Sequence, residues 1–268
     1  MNDTDFDLAR AELADARRNA RAITAWPAAR IPSDLAEAYQ LQAAVAGDLG
    51  ATVGWKVAAV TPAQRESLGV PMPIAGPLLA PWMHDARAEA PSLRTAGFIA
   101  PKLECEFAFE LAHDLPPRPA RPYSREEVSA AIATLRIAVE IVDSRLPRGL
   151  GALAELADAF NNGAFVAGPA IVDWHALDLA QVEIVLTRSH DGGARYEVAR
   201  GSGKAILDGD PFGTVVLLAN APADARRGLV AGTIVTTGSC TGAPLLPGPG
   251  DYRAEFATLG SVGFRFTA

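Results

Sequence analysis

The stretch KLECEFAFEL, Lys102 to Leu111, constrains the fold of this chain more than any other. Leu103, Cys105, Phe107, Phe109 and Leu111 alternate with Glu104, Glu106, Ala108 and Glu110. A period of two is the mark of a strand whose successive side chains point to opposite faces. One face is apolar and asks for a core. The other carries glutamates two residues apart, which repel each other unless water screens them or a cation sits between them.

The segments around this strand divide the chain into a small helical N-terminal region, 1–52, and a β-rich body, 53–268. DFDLARAELADARRNARAI carries Phe6, Leu8, Leu13 and Ala16 at roughly helical spacing. IPSDLAEAYQLQAAVAGDLG reads as a second helix, with Ser33 as N-cap and Gly50 as its stop. ATVGWKVAAV then predicts a buried strand, and GVPMPIAGPLLAPW a turn-rich connection. After the glutamate strand, PPRPARPYSREEVSAAIATLRIAVE predicts a loop running into a helix. Ser124 and Glu127 form a capping box at its start, and EIVDSRL leaves it as a short strand. VEIVLTRSHDGGARYEV predicts a hairpin around Asp191-Gly192-Gly193. DPFGTVVLLANAPADARRG predicts a helix, GTIVTTGS a strand ending in a glycine turn, and EFATLGSVGFRF the closing strands.

Composition narrows the class. With 268 residues, 49% of them hydrophobic, the chain can build a sizeable core. A net charge of -7 and the lack of a long basic run argue against nucleic acid or an anionic membrane as partner. Two cysteines, Cys105 and Cys240, imply no disulfide framework and point to a reducing compartment, the cytoplasm. The charged start MNDTDFDLARAELADARR is not patterned as a signal peptide, and no apolar run approaches the length of a membrane span.

The bland reading of Glu104 and Glu106 is a solvated acidic strand face. Against it stands a second acidic group, Glu140 to Asp143 in VEIVDSR, which a neighbouring strand could bring across from the pair. Three converging carboxylates make a hard, oxygen-only site, suited to Mg2+ or Mn2+ rather than zinc. None of His84, His113, His175 and His190 has a partner at metal-ligand spacing. Lys56 lies in the apolar run VGWKVAA. Either its stem carries the charge out to water, or it is a cation in the floor of a site, holding an anion or passing a proton. Two motifs fail. GSGKA at 201–205 lacks the first glycine and the Ser or Thr of a phosphate loop. GSCTG at 238–242 is followed by APLLPGPG rather than the helix a nucleophile elbow needs.

Taken in order, GWKVAAVTPAQRESLGV, PKLECEFAFEL, AVEIVDSRL, FNNGAFVAGP, GDPFGTVVLLAN and AGTIVTTGSCTG resemble the 2-keto-4-pentenoate (2-hydroxypenta-2,4-dienoate) hydratase family. That family includes 4-oxalocrotonate decarboxylases and lies within the fumarylacetoacetase-like superfamily. The resemblance implies an α+β fold, a mixed β-roll of fumarylacetoacetase C-terminal-like type with a helical N-terminal region. It also implies a homo-oligomer and one divalent ion, Mg2+ or Mn2+, on Glu104, Glu106 and Glu140. Lys56 matches the family's lysine, and Thr237 and Gly238 match a turn close to the substrate's carboxylate end. The implied substrates are short 2-keto or 2-hydroxydienoic acids from aromatic-ring degradation.

The chain departs from the family pattern at two places. Where typical hydratases have Ala-Asp-Asn and then serines, it reads Asp158-Ala159-Phe160-Asn161-Asn162, so Asn161 stands at the position of a substrate-contacting serine. Where typical members carry an Asp after Gly-Val, it reads PMPIAGPLL. The expected reaction is hydration of a 2-hydroxydienoate. Decarboxylation, C–C hydrolysis or simple binding of a keto acid are the alternatives the same scaffold allows.

Overall fold

The computed structural model of the chain describes residues 1–268 except 88, 191 and 222–228. Two helices open it, α1 (Asp3–Arg18) and α2 (Leu35–Leu49). The side chain of Asn2 caps α1, with Asp3 and Asp5 in its first turn and Arg17 and Arg18 in its last, complementing the helix dipole. The cap of α2 is Asp34 rather than the expected Ser33. Ser33 instead donates its N–H and hydroxyl to the Glu37 carboxylate, at 2.6 and 3.0 Å. Gly50 ends the helix at φ 144°, a conformation open to glycine.

The body holds β1 (Thr52–Ala58), α3 (Pro62–Leu68), β2 (Ile74–Leu79), β3 (Met83–Asp85), β4 (Ser92–Arg94) and β5 (Lys102–Leu111). There follow α4 (Arg125–Ala130), β6 (Ile132–Val142), α5 (Ala152–Ala157), β7 (Asn162–Ile171), β8 (Glu183–Ser189) and β9 (Tyr196–Ser202). The last elements are α6 (Pro211–Ala219), β10 (Ile234–Thr236), β11 (Gly250–Phe256) and β12 (Gly260–Thr267). The predicted hairpin is β8–β9, with Asp191 outside the described residues. The helix predicted from Asp210 onward is α6, and part of the segment after it, 222–228, also lies outside them.

Two sequence expectations are corrected. The helix predicted through Glu140 ends at Ala130, after the Ser124/Glu127 capping box. Ile132–Val142 is instead an 11-residue strand. Its apolar residues Ile137, Val139 and Ile141 recur with period two and lie opposite Phe107, Cys105 and Leu103. That burial outweighs the helical preference of the Ala and Leu residues before them. Likewise PMPIAGPLL is no mere connection. Ile74–Leu79 forms β2, buried along its whole length. Its Pro77 is tolerated because β2 is an edge strand, where a missing N–H breaks no ladder.

Seven strands form one mixed sheet in the order β2-β1-β10-β5-β6-β7-β3, and five form a second, β4-β12-β11-β8-β9. One face of the first sheet carries Trp55, Val235, Phe107, Phe109, Ile137 and Val166, part of the main core. The second sheet packs on this face, with Phe107 edge-on to Phe256 at 5.8 Å. The sheet curls until β2 touches β7, so its other face turns inward. Leu78, Ala108, Ala138 and Phe165 pack together in that interior. The polar residues described next lie on the same face.

Helices α1 and α2 share a smaller core with α5, built on Leu13, Ala16, Leu41, Val45 and Ala157. α2 also covers the β2 edge. The Ala75 N–H donates to Tyr39 Oη at 3.1 Å, and Gln42 Nε2 donates to Ala75 O at 3.2 Å. Among the described residues, no helix is long and apolar enough to cross a membrane.

Candidate active site

Period two puts Glu104 and Glu106 on the inward face of β5, and the β5–β6 register sets Glu140 directly opposite Glu104. A ligand oxygen from each of these three residues lies within 4.8 Å of the others. Among the described residues, this is the one grouping of three or more His, Cys, Asp or Glu side chains able to share an ion. Glu106 and Glu140 are buried and Glu104 is partly exposed. Burial, and then repulsion from Glu140, raises the Glu104 pKa to about 7 against the pull of Lys56. Burial together with Glu140 and Glu104 holds Glu106 well above the carboxylate range. Glu106 Oε2 accepts the Gly238 N–H at 3.2 Å, and Glu140 Oε1 accepts from Asn162 Nδ2 at 3.0 Å. Glu140 Oε2 is buried with no partner. Crowded oxygen donors, raised pKa values and an orphaned carboxylate oxygen fit a hard divalent cation of the Mg2+ or Mn2+ type.

Lys56 faces the same interior from β1. It is 6% exposed, so its stem does not carry the charge out to water. Its Nζ lies 3.6 Å from Glu140 Oε1 and 5.1 Å from the centre of the Phe160 ring. Burial works to lower its pKa, but Glu140, Glu104 and Glu106 outweigh it and leave the ammonium above its ordinary value.

Phe160 reaches Lys56 through an unusual turn. Ala159, Phe160 and Asn161 have φ of 54°, 47° and 63° in succession. The left-handed region costs roughly 1–2 kcal/mol per non-glycine residue, so the surroundings must hold the turn. The Asp143 N–H donates to Asn161 O at 2.7 Å, and the Asn161 N–H to Asp158 O at 3.0 Å. Asp158 is locked in turn by the buried Arg145, whose Nε and backbone N–H donate to its carboxylate at 2.8 and 3.1 Å. On the other side lies Gly76, the register partner of Lys56. A Cβ at Gly76 would stand 2.1 Å from Ala159 O. The glycine lets the turn sit against the lysine.

The other sequence candidates are placed as follows. Asn161 Oδ1 is buried without a partner. Thr237 is fully buried, and its hydroxyl donates to Phe107 O at 3.1 Å. Gly238 takes φ 95° beside Glu106. Asp143 stays out of the carboxylate trio, because its oxygens accept the N–H groups of Ile99 and Ala100 at 2.9 and 2.8 Å. Cys240 is buried, and burial pushes its thiol well above the ordinary range. The sequence reading missed Phe160, Gly76, Asn162 and the Arg145–Asp158 pair. Only the cluster Asp158 to Asn162, where the family pattern breaks, signalled any of them.

The curled mixed sheet that buries three carboxylates and a lysine on its inner face is a β-roll, a fold it shares with a yeast protein of the fumarylacetoacetate hydrolase family. No family model matches the chain. It is 30% identical over 272 residues to a 2-keto-4-pentenoate hydratase of Paraburkholderia phymatum, covering 99% of each chain. It is 31% identical over 216 residues to a second 2-keto-4-pentenoate hydratase, from Burkholderia vietnamiensis, covering 80% of this chain and 78% of that one. The chain belongs to the 2-keto-4-pentenoate hydratase family. In fold it matches the 4-oxalocrotonate decarboxylase of Pseudomonas putida G7, solved with magnesium and adipate. The TM-score is 0.84 at 24% identity, over 100% of this chain and 99% of the other.

Proposed function

We propose that this protein is a divalent-metal-dependent hydro-lyase that hydrates short 2-hydroxydienoic acids, such as arise when aromatic compounds are degraded. The observation that carries the reading is the inward-facing trio of Glu104, Glu106 and Glu140 with Lys56 ion-paired at its edge. The trio would hold Mg2+ or Mn2+, which would supply Lewis-acid stabilisation of negative charge on a keto acid's oxygens. Lys56, beside the trio, stabilises developing charge or passes a proton. Phe160 covers its ammonium and keeps water from it. Asn161, with its free Oδ1, orients the substrate, and the turn at Thr237 and Gly238 lies toward the substrate carboxylate.

In the reaction, the dienol gains a proton at its far carbon as its O–H proton leaves, giving a conjugated 2-keto acid. Water then adds across the remaining double bond, with hydroxyl at C4 and a proton at C3. A second reading, decarboxylation of a related keto acid, is supported by the likeness to a 4-oxalocrotonate decarboxylase of Pseudomonas putida, whereas Asn161 at the family's serine position points to a protein that only binds a keto acid. Both are tested by incubating the protein with a 2-hydroxydienoate and with a 4-oxalocrotonate-type diacid, each with Mg2+, and weighing the products. Hydration adds the mass of water and decarboxylation removes that of CO2. An unchanged mass with retained binding would leave only a keto-acid binding protein.

We further place the protein in the cytoplasm as a homo-oligomer, with residues 1–52 as a helical region and 53–268 as the catalytic body. Light scattering at micromolar concentration should return a mass above the 28.0 kDa of one chain.

A further inference from the structure

Asn162 is the first residue of β7, directly after the left-handed turn, and it is 1% exposed. Its Nδ2 donates to Glu140 Oε1 at 3.0 Å. Its Oδ1 accepts from Arg17 Nη2 at 3.2 Å, and the same nitrogen donates to Gly163 O at 2.9 Å. Arg17 comes from the last turn of α1, is 6% exposed, and lies 4.6 Å over the ring of Trp82. A guanidinium only donates, so it fixes which way the amide of Asn162 points. The oxygen must face Arg17 and the nitrogen must face Glu140, since the reverse would set a carbonyl against a carboxylate. The relay therefore runs from Arg17 through Asn162 to Glu140, and it reaches only one oxygen of that carboxylate. Oε1 is taken by Asn162 and Lys56, while Oε2 has no protein partner.

We propose that Asn162 is a positioning residue for the metal centre, held in its orientation by Arg17, and that it fixes the Glu140 carboxylate with Oε2 left as the ligand atom. This inference rests on the reading of Glu104, Glu106 and Glu140 as metal ligands. It gives the helical N-terminal region a direct part in the site, because Arg17 is the anchor of the relay. Hydrogen-bond partners of metal ligands fix their orientation, and losing one typically lowers affinity about 10- to 100-fold.

The test is a calorimetric titration of Mn2+ into the full chain, with the electron paramagnetic resonance spectrum of the bound ion as a second readout. The proteins are the parent, Asn162→Leu, Arg17→Met and the double variant. Leucine keeps the branched shape of asparagine and removes both its donor and its acceptor. Asn162→Leu should weaken Mn2+ binding about 10- to 100-fold and change the spectrum, while Arg17→Met should do so to a lesser degree. The double variant should be no worse than Asn162→Leu alone, because both act through one relay. If Asn162→Leu binds Mn2+ with parental affinity and spectrum, the inference is overturned and the metal reading stands. Fully additive losses overturn the relay. A parent that binds no Mn2+ overturns the metal reading itself. Should Asn162→Leu fail to fold, Arg17→Met decides, and a parental affinity and spectrum there would overturn the proposal.

Discussion

Glu104 and Glu140 are direct partners across an antiparallel register, two carboxylates facing each other on the inner side of a curled sheet. Like charges placed so destabilise a sheet. With Glu106 two residues along the same face, the arrangement works against the stability of the metal-free protein and in favour of binding a cation.

That arrangement predicts the effect of Glu106→Gln. The change removes one ligand charge while keeping the shape of the side chain. Mn2+ affinity measured by calorimetry should fall by more than the roughly 100-fold upper end typical of outer partners. Metal-stimulated turnover should disappear with it. Parental affinity in this variant would show that the ion binds elsewhere.

Lys56→Met keeps the length and apolar packing of the side chain and removes its charge. The ammonium is buried 3.6 Å from Glu140 Oε1 and can meet charge that develops on a substrate. Losing one such stabilising group costs about 2.7–4 kcal/mol of barrier, or roughly 100- to 1000-fold in kcat. Circular dichroism and Mn2+ titration should show the fold and the ion retained. A near-parental kcat would reduce the lysine to a structural role.

Two glycine replacements should move stability in opposite directions. In Gly76→Ala the new Cβ would meet Ala159 O, a backbone atom, at 2.1 Å, and the turn carrying Phe160 and Asn161 must give way. Overpacking of this kind costs about 1–3 kcal/mol, and turnover should fall with the displaced turn. Gly47 lies within α2, and nothing stands within 4 Å of its added Cβ. Gly47→Ala should stabilise by about 0.5–1 kcal/mol. Thermal unfolding of the two variants beside the parent checks both signs.

Arg145→Met should be severely destabilising. Arg145 and Asp158 have side chains 2% and 3% exposed, and breaking such a pair leaves an uncompensated buried carboxylate. The expected loss is about 3–5 kcal/mol, read as a drop in the denaturant midpoint. A loss below 1 kcal/mol would mean that water reaches Asp158 once the arginine is gone.

Much of this was legible in the chain because strands write their faces with period two. KLECEFAFEL gave up both its core face and its acidic face at once. The second acidic group in VEIVDSR is readable as a candidate partner on a short strand, though the residues leading into it read as helix. IATLRIAVE has helix-forming residues, and only pairing with β5 makes it extended. β2 was hidden by Gly76 and Pro77, which read as turn punctuation but serve close approach and an edge position. No local pattern could reveal Arg17 beside Asn162, since 145 residues separate them and only the folded sheet brings them together.

The contacts of Tyr39 and Gln42 with Ala75 carry one more consequence. Without α2, β2 would present bare N–H and C=O groups along an apolar edge, a ready template for another chain. A body cut free of its first fifty residues should therefore precipitate or form strand-swapped aggregates rather than fold as a separate enzyme. The helices act as a built-in chaperone for the roll, guarding its open edge for as long as the two remain on one chain.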